Sequence, residues 1–339
     1  MVLGPGNWSN MLIEATTNGT TGAVRNYADF GPTIAAEVMN TAREWAGQFT
    51  VVIGTTGTIH EFAQAKEVTP CSGVVIRQSG NKYGVLTAGH ALRRDLNTSD
   101  SAGVTLLTPW RTRNGEVMML PLPPRRCTVV GIDNETEIGP DIAIIPLEGG
   151  EMGTLDAWGI TAYNLDKERW SEQDRARLGK NPWLLSIIHG VRCEASQIIG
   201  SHTDGKIGAL AFVATNTRTD VVREKDGFDY LELPSEFTEY SHPTHWTKTP
   251  PGTAAKEIEQ LFHKGVTKQV WGGTSGAGVW NVAIGSNETG HPDGVVLAEL
   301  AGICFYANPD KGSIVAHSAK SITTIAATHI EKVGSVPRS

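Results

Sequence analysis

Three short segments carry the residue types that nucleophilic catalysis requires. Leu86-Thr87-Ala88-Gly89-His90 closes an apolar run on a histidine. Gly139-Pro140-Asp141-Ile142-Ala143-Ile144-Ile145 opens an apolar run on an aspartate. Gly272-Gly273-Thr274-Ser275-Gly276-Ala277-Gly278 sets a serine in a glycine-rich turn before a further apolar run. A serine hydroxyl is a weak nucleophile until a base takes its proton, and that base needs a third group to hold its tautomer. Preorganised N–H donors must also meet the oxyanion that forms, and glycines let a turn point such donors inward. Singly, each segment has an ordinary explanation: a capping histidine, a Pro-Asp turn, a plain glycine turn. Their joint occurrence in the order His, Asp, Ser, each at a strand border, points to acyl transfer. Ser275 is then the nucleophile, His90 the general base and Asp141 the group that orients the base.

The elements that must position these residues read as short strands. Residues 33–47 have helical spacing, with Ile34, Val38, Ala42 and Trp45 on one face, between Pro32 and Gly47. Apolar or β-branched runs then follow at 50–54, 72–78, 83–89, 103–109, 116–122, 126–132 and 141–147. Ser79-Gly80-Asn81-Lys82 is a hairpin signal between two of them. Residues 150–181 are polar and richer in helix formers, which predicts a helical connection. A second series of strands is expected at 183–190, 196–202, 208–215 and 229–234, then at 275–282, 295–307 and 312–318. Between them, 235–252 reads as loop and 254–265 as a short helix, and 318–333 reads as a closing helix. Meanders of this kind favour closed antiparallel barrels over βαβ units. The expected organisation is an N-terminal arm over 1–48 with its helix at 33–47, and a first barrel over 49–150. The helical connection 151–181, a second barrel over 182–322 and a C-terminal helical tail over 323–339 complete it.

Those three segments resemble the His, Asp and Ser blocks of chymotrypsin-like serine peptidases, the bacterial trypsin-like and HtrA-type domains in particular. Thr87, Ala88 and His90 match the T-A-x-H block, Asp141, Ile142 and Ala143 the D-I-A block, and Gly273, Ser275 and Gly276 the G-x-S-G block. The likeness spans about residues 48–322. It implies an all-β fold of two tandem six-stranded antiparallel barrels with helical arms at both ends, and a triad in the cleft between barrels. It also implies a serine endopeptidase working through an acyl-enzyme, with an oxyanion hole from the N–H groups of Gly273 and Ser275. The family's substrate-edge strand falls on Phe305, Tyr306 and Ala307. The base of its primary pocket falls on Gln269 and Val270, and Ala316 leaves that pocket open, which implies a preference for a neutral side chain. The sequence departs from the secreted members at Ala91, where they have a cysteine, and at Thr274, where they have an aspartate that pairs with a freed N-terminus. Activation without N-terminal cleavage is therefore expected.

Composition bounds the alternatives. The chain has 339 residues, a formal net charge of −7 and no Lys/Arg run longer than two, which argues against a nucleic-acid partner. No stretch approaches the ~18 consecutive apolar residues of a membrane span, and the first residues show no secretory leader. The four cysteines, Cys71, Cys127, Cys193 and Cys304, form no CxxC and are expected as free thiols in a cytoplasmic enzyme. His242 and His245 lie in a proline-rich stretch without further ligands, and His189 with Cys193 reads as a core pair, so neither metal nor cofactor is expected. The expected partner is a protein or peptide substrate, with room for a regulatory protein. The alternative is a catalytically silent binding module on the same fold. A subtilisin-like order or an α/β-hydrolase elbow is excluded, because here the histidine comes first and residue 277 is alanine.

Overall fold

The computed structural model describes residues 32–56, 69–78, 82–96, 103–113, 116–122, 127–130, 140–166, 171–178, 182–192, 211–217, 222–225, 228–234, 239–242, 273–308 and 313–323. The expected strand at 196–202, the helix at 254–265, and the first and last arms beyond these limits lie outside the described residues.

Helix α1 (Pro32–Gly47) opens the described chain with proline at its first position, where the missing N–H costs nothing. Val38, Ala42 and Ala46 form its buried stripe at four-residue spacing. The first sheet holds β1 (Thr50–Thr56), β2 (Thr69–Gln78), β3 (Lys82–Thr87), β4 (Gly103–Arg113), β5 (Glu116–Leu122), β6 (Thr128–Val130) and β7 (Ile142–Leu147). Their order is β5-β4-β1-β2-β3-β7-β6, with the two-residue β8 (Tyr163–Asn164) paired parallel to β2. Helix α2 (Gly89–Leu96) follows β3, and helices α3 (Gly149–Ala157) and α4 (Glu172–Arg177) flank β8.

The second sheet holds β9 (Trp183–Arg192), β10 (Ala211–Thr217), β11 (Val222–Lys225), β12 (Phe228–Pro234), β13 (Glu239–His242), β14 (Gly278–Ser286), β15 (Pro292–Asn308) and β16 (Ser313–Ser318). Its order is β11-β12-β16-β15-β14-β9-β10-β13, antiparallel throughout. Among the described residues, each sheet thus has eight strands where six were expected. β8, β11 and β13 are too short and polar to show an alternation, and β13 occupies part of a stretch read as loop.

Strand β7 shows why the apolar runs are continuous. Ile142 and Ile144 face a core shared with the second sheet and α1, whereas Ala143, Ile145 and Leu147 face the interior of the first sheet. Both faces are buried, so alternation of side chains produces no alternation of polarity. The shared core contains Val74, Ile76 and Leu86 from the first sheet and Ile187, Trp280, Val282 and Ile303 from the second. Trp45, near the end of α1, meets Trp280 edge-on at a ring-centroid distance of 5.3 Å, and Phe49, just after the helix, lies tilted against it at 5.5 Å. This core sets the two sheets against each other, and the candidate site lies at their seam. Among the described residues, no helix is long and apolar enough to cross a membrane.

Candidate active site

His90, Asp141 and Ser275 meet. The His90 Nδ1 lies 2.7 Å from Asp141 Oδ2, and its Nε2 lies 3.0 Å from the Ser275 hydroxyl. With the aspartate ionised, Nδ1–H donates to the carboxylate, which leaves Nε2 to accept the serine O–H. The Asp141 side chain is 12% exposed and that of His90 37%, so the carboxylate is shielded while the imidazole still reaches the surface.

One local feature differs from the sequence-based expectation. Strand β3 stops at Thr87 instead of running to 89, and His90 is the second residue of α2. The reason is Asp141. Its Oδ1 accepts the His90 backbone N–H at 2.7 Å, satisfying one of the donors a helix leaves free at its start. A carboxylate there also favours the positive end of the helix. Asp141 therefore holds both the backbone and the ring of His90. Ala88, fully buried, packs against Tyr230, Phe305 and Val315 of the second sheet.

The serine turn is held from the first sheet by a residue that the sequence reading missed. Ser72, on β2, donates its backbone N–H to the Ser275 carbonyl at 2.8 Å and its hydroxyl to the Gly273 carbonyl at 2.9 Å. Its own carbonyl accepts the Thr87 hydroxyl at 2.6 Å. Within the turn, Ala277 N–H donates to the Thr274 carbonyl at 2.8 Å, and Gly276 N–H to the Cys304 carbonyl at 2.7 Å. Gly273 and Gly276 have φ of 87° and 85°, a region L side chains rarely adopt. The only hint in the sequence was a polar residue inside an apolar strand. His317, inside β16, carried the same hint. Its Nε2 accepts the Asp141 backbone N–H at 3.0 Å.

Of the other expected residues, Tyr306 is exposed on β15 near the serine turn. Phe305 is not beside it on the surface: a β-bulge between Cys304 and Tyr306 turns its ring inward, where it is buried and stacks on His317. Ala316 is fully buried in an apolar cluster with Ile188, Leu231, Val279 and Cys304. Ala307 follows Tyr306 on β15, opposite Ile314, and Gln269 and Val270 lie outside the described residues. His189 is buried and bonds Thr50 of the first sheet (Nδ1 to Oγ1, 3.0 Å); Cys193 lies outside the described residues. Burial first, then the Arg43 charge, pushes the pKa of His189 down to about 3, so it stays neutral.

Cys71, Cys127 and Cys304 are free thiols. Burial pushes Cys127 up to about 12 and raises Cys304 as well. Both are protonated at neutral pH, the unreactive form of a thiol. Among the described residues, no group of three His, Cys, Asp or Glu side chains could hold a metal ion.

No family model matches the chain, and no curated protein matches it. Solved structures similar to it include an inactive form of Rv3671c from M. tuberculosis H37Rv. That structure is 12% identical over 94% of this chain and 100% of the other, with a TM-score of 0.34. Human heparin binding protein is 11% identical over 86% and 95%, with a TM-score of 0.41. A serine endoprotease from Yersinia pestis is 13% identical over 87% and 67%, with a TM-score of 0.37. Likenesses this faint leave the functional reading to the chain's own geometry.

Proposed function

We propose that this chain is a serine endopeptidase, with its two sheets curled as the paired barrels of the chymotrypsin-like fold. The observation that carries the reading is the hydrogen-bonded line from Asp141 through His90 to Ser275. In the proposed reaction, His90 Nε2 takes the Ser275 proton as Oγ attacks a peptide carbonyl, and Asp141 stabilises the imidazolium that forms. The N–H groups of Gly273 and Ser275 receive the oxyanion. As the tetrahedral species collapses, the C–N bond breaks and His90 gives its proton to the leaving amine. Water then hydrolyses the acyl-enzyme by the same route in reverse, returning the serine and releasing the acid. A binding module needs no such line, which disfavours the silent alternative.

A peptide has a place to lie. Strand β15 runs on to Asn308, past its last register pair with β14 at Gly278–Ile303, and β16 covers the opposite edge. In this reading the stretch from Phe305 to Ala307 offers main-chain groups to an extended substrate by strand addition.

Ser72 takes over the ordering task that an N-terminal ion pair performs where an aspartate precedes the serine. Freshly purified full-length protein should therefore bind a fluorophosphonate probe at Ser275, read as a single adduct on the intact mass. Labelling confined to a species shortened at its N-terminus would refute activation without cleavage, and no labelling at all would refute the peptidase reading. Removing one neutral hydrogen bond from the turn, by Ser72→Ala, should slow acylation by ~5-fold, equivalent to about 1 kcal/mol. The Ser72 N–H to Ser275 survives that change, so the loss should stay modest. An unchanged acylation rate would mean that the hydroxyl does not hold the turn.

A further inference from the structure

The proposed chemistry makes no use of His317, yet this imidazole is fully buried and aimed at the triad's aspartate. It sits on β16 of the second sheet, the sheet that carries Ser275. Asp141 sits at the start of β7, in the first. Three rings enclose it: Phe305 stacked at 4.5 Å, Tyr230 at 5.1 Å and Phe228 at 6.4 Å. Because Nε2 accepts the Asp141 N–H, the proton of the neutral ring must be on Nδ1. That Nδ1 finds no hydrogen-bond partner among the described residues.

We propose that His317 is a positioning residue: a neutral imidazole that pins the Asp141 backbone to the sheet bearing the nucleophile. The inference rests on the peptidase reading and deepens it. A ring placed for packing alone has no reason to align its acceptor with one buried amide and leave its donor unmet; a phenyl ring fills the same slot without an orphaned polar atom. The triad draws its members from both sheets, so its geometry depends on how they register. Ser72 ties the serine turn to the first sheet, and His317 ties the aspartate to the second. Both bonds cross the seam with the donor on the first sheet's side and the acceptor on the second's. Burial supports the neutral form by pushing the pKa of His317 down to about 4, against the opposing pull of the Asp141 carboxylate.

Two substitutions separate the acceptor from the ring. His317→Phe keeps the stack and removes the acceptor. His317→Gln removes the stack and keeps a carbonyl oxygen at about the reach of Nε2. With a peptide substrate, His317→Phe should lower kcat by ~10-fold with KM little changed, because misplacing the orienting group acts on the chemical step. His317→Gln should recover most of that loss. In proton NMR, the His90 Nδ1 proton shared with Asp141 should resonate far downfield of the amides in the wild type and shift or vanish in His317→Phe. Full kcat and an unmoved resonance in His317→Phe would overturn the proposal, and so would equal losses in both variants, which would indicate packing alone. If either variant fails to fold, long-range proton–nitrogen spectra of the wild type still decide: the Nδ1–H tautomer of His317 is expected, and the Nε2–H tautomer is incompatible with the proposal. The NMR readouts need no substrate. Absence of turnover in a wild type that shows the expected tautomer and resonance counts against the peptidase reading and not against the pin.

Discussion

Ser275→Ala should abolish peptide hydrolysis, with kcat falling by roughly 10⁶-fold, the scale on which triad members act as a unit. His90→Ala should fall by a similar amount for the same reason. The physical basis is narrow. The Ser275 hydroxyl bonds the His90 Nε2 at 3.0 Å, and the turn around it is held by backbone groups and Ser72, none of which the substitution removes. Thermal unfolding of Ser275→Ala should therefore stay within a degree or two of the wild type, on the order expected of a half-buried polar change that breaks no buried network. Steady-state hydrolysis of a peptide library and a melting curve on the same preparation test both halves. Wild-type turnover in the variant would place the nucleophile elsewhere. A collapsed melting temperature would mean that the hydroxyl carries structure as well as chemistry.

Gly276→Ala should be nearly as damaging, but through the backbone. A Cβ on residue 276 would lie 2.0 Å from the Ser72 carbonyl oxygen and 2.2 Å from Thr87 Oγ1, at a φ of +85°. The left-handed backbone alone costs about 1–2 kcal/mol for an L side chain, and overpacking adds about 1–3 kcal/mol. Relief requires the turn to move away from β2. That breaks the Ser72 N–H bond to the Ser275 carbonyl and the Gly276 N–H bond to the Cys304 carbonyl. The expected result is a destabilisation of about 3 kcal/mol and a loss of acylation rate of ~10²-fold or more, since small displacements of a reacting group are costly. Melting temperature and the rate of fluorophosphonate labelling measure the two separately. A variant that melts and labels like the wild type would show that the turn is not pressed onto Ser72.

These two residues illustrate the division between local and distant information. The meeting of Ser275 with His90 and Asp141 was legible because each block carries its own chemistry: a serine between glycines, preceded in the chain by a histidine block and an aspartate block. The glycine at 276 was legible as a turn residue, but its contact with Ser72 was not. Ser72 is 201 residues from its acceptor Gly273, and His317 is 176 residues from its donor Asp141. No local pattern reports which buried polar group will find which partner at such separation. A lone serine in Thr-Pro-Cys-Ser-Gly and a lone histidine in Ile-Val-Ala-His-Ser signal only that a polar atom inside an apolar strand must be satisfied somewhere.

By itself, then, the sequence determined residue chemistry, chain order and strand period. Side-chain alternation at a period of two, runs of apolar residues and glycine-rich borders are properties of neighbouring residues, so β7 and β15 could be placed within one to three residues of their bounds. What only the tertiary structure decided is where those strands point their faces. At the bulge at Cys304/Tyr306 the Phe305 ring turns inward onto His317 while Tyr306 stays exposed. The Asp141 carboxylate ends β3 early and begins α2 at the His90 backbone N–H. Packing of the two sheets across Trp280 and α1 brings Ser72 and His317 to opposite sides of one seam. Each is a pairing of atoms far apart in the chain. Its energy depends on which surfaces meet, and residue type and spacing carry no record of that meeting.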